Sequence, residues 1–390
     1  MDRRNFIKTS LTASLASYVA PLHSQKKAEV RIGYLPITDA TPLLVAHGNG
    51  YFLAEGLHAA APTLIRSWSA LVESFLADKF DVVHLLLPIP IWMRYRNKAA
   101  VKIVAWDHLN GSALTVGANT GITGFADLGG KNIAVPYWYS MHNVILQMGL
   151  KKMGLTPVIQ RPGHTLKRNE TNLFLLPPPE MPPALAAGKI DGYIVAEPFN
   201  ALAELKINAK IMRFTGDIWK NHPCCVIVMK ENTIRANPVF TQKVVNAIVR
   251  AQHYVLQNPE ATATMLSKEG KGYLPVSKEV LKRVFMNYDT ALYGKGHLPE
   301  AIKHPEWKAQ RIGFQPYPYA SATRFIVQHL RETLVQGDKT FLQQLNPDFV
   351  VKDLVSYDFV KNAVLAVGGP GKFTDMNLQS PWEREEVIAI

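Results

Sequence analysis

The chain contains little cysteine, few charged residues and no long hydrophobic run. Its 2 cysteines, Cys224 and Cys225, are adjacent, and neighbouring cysteines bridge only through a strained ring, so a disulfide framework is excluded. The apolar stretch at 82–87 contains His84 and ends before Pro88. It is far shorter than the roughly 18 residues that a bilayer-spanning helix needs, so no transmembrane segment is predicted. Disorder is excluded as well, because 47% of the residues are hydrophobic and 19% are charged.

The length and charge narrow the class of protein further. A chain of 390 residues predicts two lobes of about 150–200 residues each. The formal net charge is +12, but the basic residues are spread along the chain and are not interleaved with aromatic residues. We therefore expect no nucleic-acid binding, and a diffuse positive field is better suited to attracting small anions.

The N-terminus carries an export pattern. Residues 2–8 read Asp-Arg-Arg-Asn-Phe-Ile-Lys, and a weakly apolar stretch of small residues follows over 9–20. This order is typical of a twin-arginine signal, whereas the plainer interpretation is a disordered tail. We predict that 1–27 are a signal peptide and linker, and that the protein is exported to the periplasm by the twin-arginine route.

Strand and helix patterns alternate along the rest of the chain. Such alternation, with short and nearly continuous apolar strands, predicts parallel βαβ units and an α/β architecture with helices on both sheet faces. The prolines at 177–183 predict a rigid loop. The predicted strands are 28–36, 80–85, 101–106, 112–117, 132–136, 193–196, 210–214 and 224–229. The predicted helices are 41–46, 67–76, 89–96, 140–153, 184–187, 239–257, 259–267, 278–286 and 321–333, and a further helix is predicted to begin at 197–200.

Several short phrases carry a family resemblance when they are taken in this order. They are the strand Arg31–Pro36 with Thr38–Pro42, Asp127–Lys131, Gly188–Gly192, Glu197–Asn200, Asp217–Trp219 with His222 and Pro223, and Pro316–Pro318. Over residues 30–340 the chain resembles the periplasmic solute-binding proteins of nitrate, bicarbonate, sulfonate and taurine ABC importers. The nitrate and bicarbonate branch is the most similar.

The resemblance implies a bilobal periplasmic-binding-protein-like fold of type II, with two doubly wound lobes joined by two crossings near Gly117 and Gly216. The expected first lobe is 28–117 plus 217–390, and the expected second lobe is 118–216. It also implies a monomer without a cofactor that closes on a small-molecule ligand and delivers it to an ABC permease and its ATPase.

Ligands in open α/β sheets bind beyond the carboxyl ends of the strands, and a cleft between lobes is a common binding site. Residues at those strand ends are therefore the candidates, although helix capping or core packing would also explain several of them. The predicted ligand-binding residues are Thr38, Asp39, Thr41, Trp68, Ser69, Trp106, Asn110, Ser112, Tyr137, Trp138, His142 and Glu197.

The resemblance assigns roles to three of these residues. His142 matches a histidine that binds the oxyanion in nitrate-binding relatives. Ser112 stands where those relatives have a glutamine, which leaves the identity of the anion open. Glu197 matches an acid that takes part in calcium binding in bicarbonate-binding relatives, and capping of its own helix explains it equally well.

Two ligand classes and one enzymatic alternative stay open. A small anion of the nitrate, bicarbonate, cyanate or sulfonate type suits His142 and the positive charge, whereas the aromatic run Tyr137–Tyr139 suits a flat heterocycle such as a pyrimidine or a flavin. A related family of pyrimidine-precursor-synthesising enzymes on this fold carries a longer cysteine cluster, which this sequence lacks. We interpret Cys224 and Cys225 as buried core residues, and we identify no catalytic residue and no metal-ligand set.

Overall fold

The computed structural model describes residues 29–161, 163–286 and 288–390, so the predicted export signal lies outside the described residues. Two mixed sheets form the centres of two lobes, which confirms the α/β class. The first sheet contains, in spatial order, β4 (Thr63–Leu64), β2 (Ile32–Tyr34), β5 (Val82–Leu86), β14 (Cys225–Lys230) and β6 (Val101–Trp106).

The second lobe has a six-stranded sheet. Its spatial order is β10 (Thr156–Val158), β11 (Glu170–Leu175), β9 (Asn132–Val135), β12 (Gly192–Ala196), β8 (Ser112–Val116) and β13 (Lys210–Phe214). Two small pairs complete the strands, namely β1 (Glu29–Val30) with β3 (His58–Ala59) and β7 (Leu109–Asn110) with β15 (Ile312–Gly313).

Sixteen α-helices pack around the two sheets in the described part of the chain. They are α1 (Thr41–Gly48), α2 (Tyr51–Ala54), α3 (Trp68–Leu76), α4 (Pro88–Ile91), α5 (Met141–Lys152), α6 (Met181–Ala186), α7 (Phe199–Ile207), α8 (Glu231–Ala236), α9 (Pro238–Gln257), α10 (Pro259–Leu266), α11 (Lys278–Met286), α12 (Thr290–Tyr293), α13 (Ala320–Glu332), α14 (Phe341–Gln344), α15 (Pro347–Leu354) and α16 (Tyr357–Ala366). Within those residues, no helix has the length and apolar character that crossing a bilayer requires.

Two helices begin on serine caps at the ends of extended segments. The hydroxyl of Ser67 accepts the N–H of Ala70 at 3.3 Å, and the hydroxyl of Ser140 accepts the N–H of Asn143 at 3.0 Å. Both serines have extended backbone angles, as helix N-caps normally do. The caps fix where α3 and α5 start, and α5 therefore presents His142 within its first turn.

The sheets are mixed, whereas the alternation of elements predicted parallel pairing. Strand β14 runs antiparallel to both β5 and β6, and β8 runs antiparallel to both β12 and β13. These are the strands next to the crossings between lobes, where the chain enters a sheet from the opposite side. The predicted boundary after residue 117 leaves β8 with the first lobe. In the structure β8 pairs with β12 and β13 and so belongs to the second sheet.

The two crossings touch each other. A Cβ atom placed on Gly216 would lie 2.5 Å from the side-chain amide carbon of Asn110, so only glycine lets the segment after β13 pass this close to the segment before β8. Asn110 has a φ of +56°, and its amide donates to the side-chain oxygen of Asn221 at 3.2 Å. The connections between the lobes are thus packed and hydrogen-bonded together.

Candidate functional site

Six polar side chains meet where the lobes face each other, and we call them the interlobe cluster: Asp39, His108, Ser112, His142, Cys224 and Cys225. Asp39 follows β2 and His108 follows β6, both at the carboxyl ends of first-lobe strands. Cys224 and Cys225 stand at the start of the antiparallel strand β14, which lies at the same edge. Ser112 begins β8 of the second sheet, and His142 lies on α5 of the second lobe. Every member is at most 2% exposed.

Short contacts join the members of the cluster into one network. Asp39 Oδ2 lies 2.9 Å from His108 Nε2 and accepts the thiol of Cys225 at 3.1 Å. The Cys224 sulphur lies 3.6 Å from the same carboxylate oxygen and 3.9 Å from His142 Nε2. The network therefore runs from an acid of the first lobe, through a thiol, to an imidazole of the second lobe.

Ser112 completes the second-lobe side of the network. Its hydroxyl lies 2.9 Å from His142 Nε2 and 3.8 Å from the Cys224 sulphur. This contact joins the first residue of β8 to the first turn of α5, so two of the predicted ligand-binding residues are brought together.

Burial and mutual charge shift the pKa values in the cluster. Burial raises the pKa of Asp39 and raises that of Cys225 well above its ordinary value. Burial also opposes protonation of His108, but the nearby Asp39 carboxylate outweighs it and raises the His108 pKa. For Cys224, burial is outweighed by the hydrogen bond of Cys225 and by the charge of His142, so the pKa of this thiol is lowered well below its ordinary value. The pKa values of the two neighbouring thiols are therefore shifted in opposite directions.

A direct backbone bridge joins the lobes next to the cluster. The N–H of Thr38 donates to the carbonyl of Glu197 at 2.8 Å, and the Thr38 hydroxyl donates to the same carbonyl at 3.1 Å. The Thr41 hydroxyl donates to the Thr38 carbonyl at 2.6 Å and so fixes the entry into α1. Thr38 thus bridges the lobes, and Thr41 positions it.

The carboxylate of Glu197 is held by partners other than the cluster. Its Oε1 accepts Nε of Arg311 at 2.7 Å, and its Oε2 accepts the N–H of Ala201 at 3.0 Å at the start of α7. Arg311 also contacts Glu204 at 2.8 Å. Glu197 therefore belongs to a buried ion pair and caps its helix, while its carbonyl oxygen joins the lobes.

The aromatic run of the second lobe packs against other rings of the protein. The Trp92 ring of the first lobe lies 5.9 Å from the Tyr139 ring, nearly parallel to it, and 6.5 Å from the Tyr137 ring, edge to face. Tyr139 also contacts Phe341, and Trp138 is 8% exposed. The rings form an apolar contact between the lobes.

The other predicted residues lie outside the cluster. Trp68 is buried edge-on against His84, whereas Ser69 is exposed on the next position of α3. Trp106 packs on Tyr319, within the first-lobe core. Asn110 occupies the crossing described above.

Three members of the cluster escaped the sequence prediction. His108 follows a predicted strand directly, so the strand-end rule applied to Asp39 would also have selected it. Cys224 and Cys225 were interpreted as core residues, and that interpretation is incomplete: both are buried and unbridged, but their sulphurs contact Asp39. The rule missed them because β14 is antiparallel, so that its beginning lies at the edge where its neighbours end.

The molecule has two lobes with buried polar residues between them, which is the architecture of a binding protein. Its fold is that of the periplasmic binding proteins, with solved neighbours among import-system components. The chain belongs to the NMT1-like family, which matches residues 23–267.

Relatives in sequence and structure agree with this assignment. The nitrate/nitrite binding protein NrtA of Nostoc is 25% identical over 386 residues, which cover 91% of this chain and 80% of that protein. The periplasmic nitrate-binding protein NrtA of Synechocystis superposes with a TM-score of 0.69 at 18% identity, covering 90% of this chain and 92% of that one. The alkanesulfonate-binding protein SsuA of Xanthomonas axonopodis superposes with a TM-score of 0.58 at 16% identity, covering 79% and 95%. The resemblance noted in the sequence is therefore confirmed.

Two further similarities are to an ATP-binding protein and to an enzyme. The nitrate import ATP-binding protein NrtC of Synechocystis is 27% identical over 245 residues, so this chain matches 35% of its length. The desulfurization enzyme DSZB shares the fold with a TM-score of 0.56 at 13% identity, covering 87% of this chain and 100% of that one. The fold therefore supports an enzyme as well as binding proteins.

Proposed function

We propose that the protein is the solute-binding component of an ABC import system, and that it captures a small anion between its lobes. The observation that carries the proposal is the pairing of His142 with Ser112 beside Cys224, at the place where the two lobes meet. An imidazole N–H and a hydroxyl are suitable donors to an oxyanion. The homology to NrtA supports the same ligand class.

The buried state of the cluster defines how the solute enters. His142 and Ser112 are 1% and 2% exposed, so a solute reaches them only when the lobes separate. A ligand that touches both lobes stabilises the closed arrangement by the difference between its affinities for the closed and open forms. A permease then distinguishes the closed, loaded protein from the open one.

The packing of the aromatic run favours an anion over a flat heterocycle. A stacked heterocycle would need the faces of Tyr137 or Tyr139, but those rings contact Trp92 and Phe341. Displacing such contacts costs about 0.5–1.5 kcal/mol for each aromatic pair. A small anion leaves them intact.

The location and the partners of the protein follow from its proposed role as an ABC solute-binding component. We place the protein in the periplasm, exported through the twin-arginine signal at Arg3 and Arg4, with a permease and its ATPase as partners. The similarity to NrtC supports the ATPase. We assign no catalytic activity, because reversible capture needs only the donors described above.

A ligand screen by thermal unfolding tests the proposal. The purified protein is heated with nitrate, bicarbonate, cyanate or taurine, and in parallel with pyrimidines and flavins; matched potassium chloride controls for ionic strength. A solute at 100 times its dissociation constant adds about 2.7 kcal/mol of stability. We expect at least one of the anions to raise the melting temperature. A shift with heterocycles alone would overturn the anion assignment.

A further inference from the structure

We propose that Asp39, His108, Cys224 and Cys225 form a binding site for a divalent d10 metal ion, with Zn²⁺ as its representative, at the cleft-facing edge of the first lobe. The four side chains are fully buried and offer four ligand atoms, all within 4.8 Å of one another. They supply two sulphurs, one imidazole nitrogen and one carboxylate oxygen. The proposal goes beyond solute capture and does not depend on which solute binds.

The distances between these atoms suit tetrahedral coordination. Zinc bonds of about 2.3 Å to sulphur and 2.0–2.2 Å to nitrogen or oxygen place neighbouring ligand atoms roughly 3.3–3.8 Å apart. The carboxylate oxygen of Asp39 lies 2.9 Å from His108 Nε2, 3.1 Å from the Cys225 sulphur and 3.6 Å from the Cys224 sulphur. The other pairs of ligand atoms lie within 4.8 Å of one another, so an ion fits between the four atoms after side-chain shifts of up to about 1 Å.

The orientation of His108 and Asp39 is that of metal ligands. The Nδ1 atom of His108 lies 3.4 Å from the carbonyl of Leu109, so the ring directs Nε2 into the cluster; a ligating histidine is typically oriented by such a carbonyl. The second oxygen of Asp39, Oδ1, has no hydrogen-bond partner among the described residues although it is buried. An unpaired buried carboxylate oxygen is costly unless a cation neutralises it.

The ligand types select the ion. Two thiolates with an imidazole favour soft or borderline ions such as Zn²⁺ over Mg²⁺ and Ca²⁺, which prefer oxygen ligands. Four protein ligands complete a tetrahedral shell, which is the arrangement of structural rather than catalytic zinc sites. The ion would join the end of β2, the segment after β6 and the start of β14, while His142 and Ser112 stay available to a solute.

Cobalt substitution tests the site with unusual specificity. The chain has 2 cysteines, so a sulphur-to-cobalt charge-transfer band can come only from Cys224 and Cys225. The full protein is reduced, freed of metal with a chelator and titrated with Co²⁺ in the absence of any candidate solute. We expect the charge-transfer band and the visible bands of tetrahedral cobalt to saturate at one equivalent, and Zn²⁺ to remove both.

Variants identify the ligands. Cys224→Ser should lose about half of the charge-transfer intensity, because one of two thiolates remains, and Asp39→Asn should weaken Co²⁺ binding at least tenfold. His304→Ala is the matched control, because His304 and Glu306 form an accessible histidine–carboxylate pair, 3.1 Å apart, that could hold adventitious metal; its spectrum should equal that of the unaltered protein. A titration of the unaltered protein without a charge-transfer band would overturn the proposal, and so would binding that only His304→Ala abolishes. Neither outcome bears on the anion screen, to which no Zn²⁺ or Co²⁺ is added.

Discussion

Replacing Arg311 with methionine is expected to lower the free energy of unfolding by about 3–5 kcal/mol at neutral pH. The guanidinium is 1% exposed and lies 2.6 Å from Glu197, whose side chain is fully buried. Its removal leaves that carboxylate charged in an apolar environment, which costs more than the ion pair itself contributes. Urea denaturation followed by circular dichroism measures the loss.

An exposed ion pair provides the control for this prediction. Arg324 and Asp348 form a pair whose side chains are 46% and 65% exposed, and Arg324→Met should cost less than about 1 kcal/mol. Burial already raises the pKa of Glu197, and without Arg311 the carboxyl should take up a proton more readily. The loss of unfolding free energy in Arg311→Met should therefore become smaller as the pH falls toward 5. Equal losses in the two variants would show that burial does not govern the Glu197 pair.

Replacing His142 with alanine should weaken binding of the anion found in the thermal screen by about 1.5–3 kcal/mol, which is the range for a hydrogen bond to a charged group. That corresponds to a loss of affinity of roughly ten- to hundredfold. Isothermal titration calorimetry of the two proteins measures the change.

Two comparisons separate binding from folding in this experiment. The exposed His297 offers a matched variant, His297→Ala, which should retain full affinity. The melting temperature of His142→Ala without ligand should stay near that of the unaltered protein, because the hydrogen-bonding contacts that the substitution removes are those with Ser112 and Cys224. Unchanged affinity in His142→Ala would remove this residue from the site.

Local pattern predicted most of the regular elements. The strand Val101–Trp106 and the helix Lys278–Met286 have the predicted bounds, because apolar periodicity and flanking polar residues mark their ends clearly. The proline-rich segment differs: α6 begins at Met181 with Pro182 and Pro183 in its first turn, where the missing N–H groups are not needed by the helix.

Elements with weaker signals were not predicted. The strand Thr156–Val158 is at the edge of the second sheet, and Glu170–Leu175 is next to it. Both have polar or partly exposed positions, so they lack a continuous apolar run. Strand direction was also beyond local pattern, because antiparallel pairing of β8 and β14 depends on where the chain crosses between the lobes.

The candidate site was also predictable only in part, because local pattern does not give strand direction or tertiary packing. Asp39, Ser112 and His142 lie next to elements whose ends the sequence indicates, and the structure places all three in the interlobe cluster. Trp106 is the last residue of a clearly predicted strand, yet it packs inside the first lobe against Tyr319, because the direction of a side chain at a strand end depends on tertiary packing.

The central claim is that an anion is held between two lobes that close on it, and small-angle X-ray scattering tests this directly. The protein is measured without anion and with a saturating amount of the anion that the thermal screen identifies, against matched potassium chloride. The account predicts a smaller radius of gyration with the anion, because the open lobes come together around it. An anion that stabilises the protein while leaving the radius of gyration unchanged would contradict closure between the lobes.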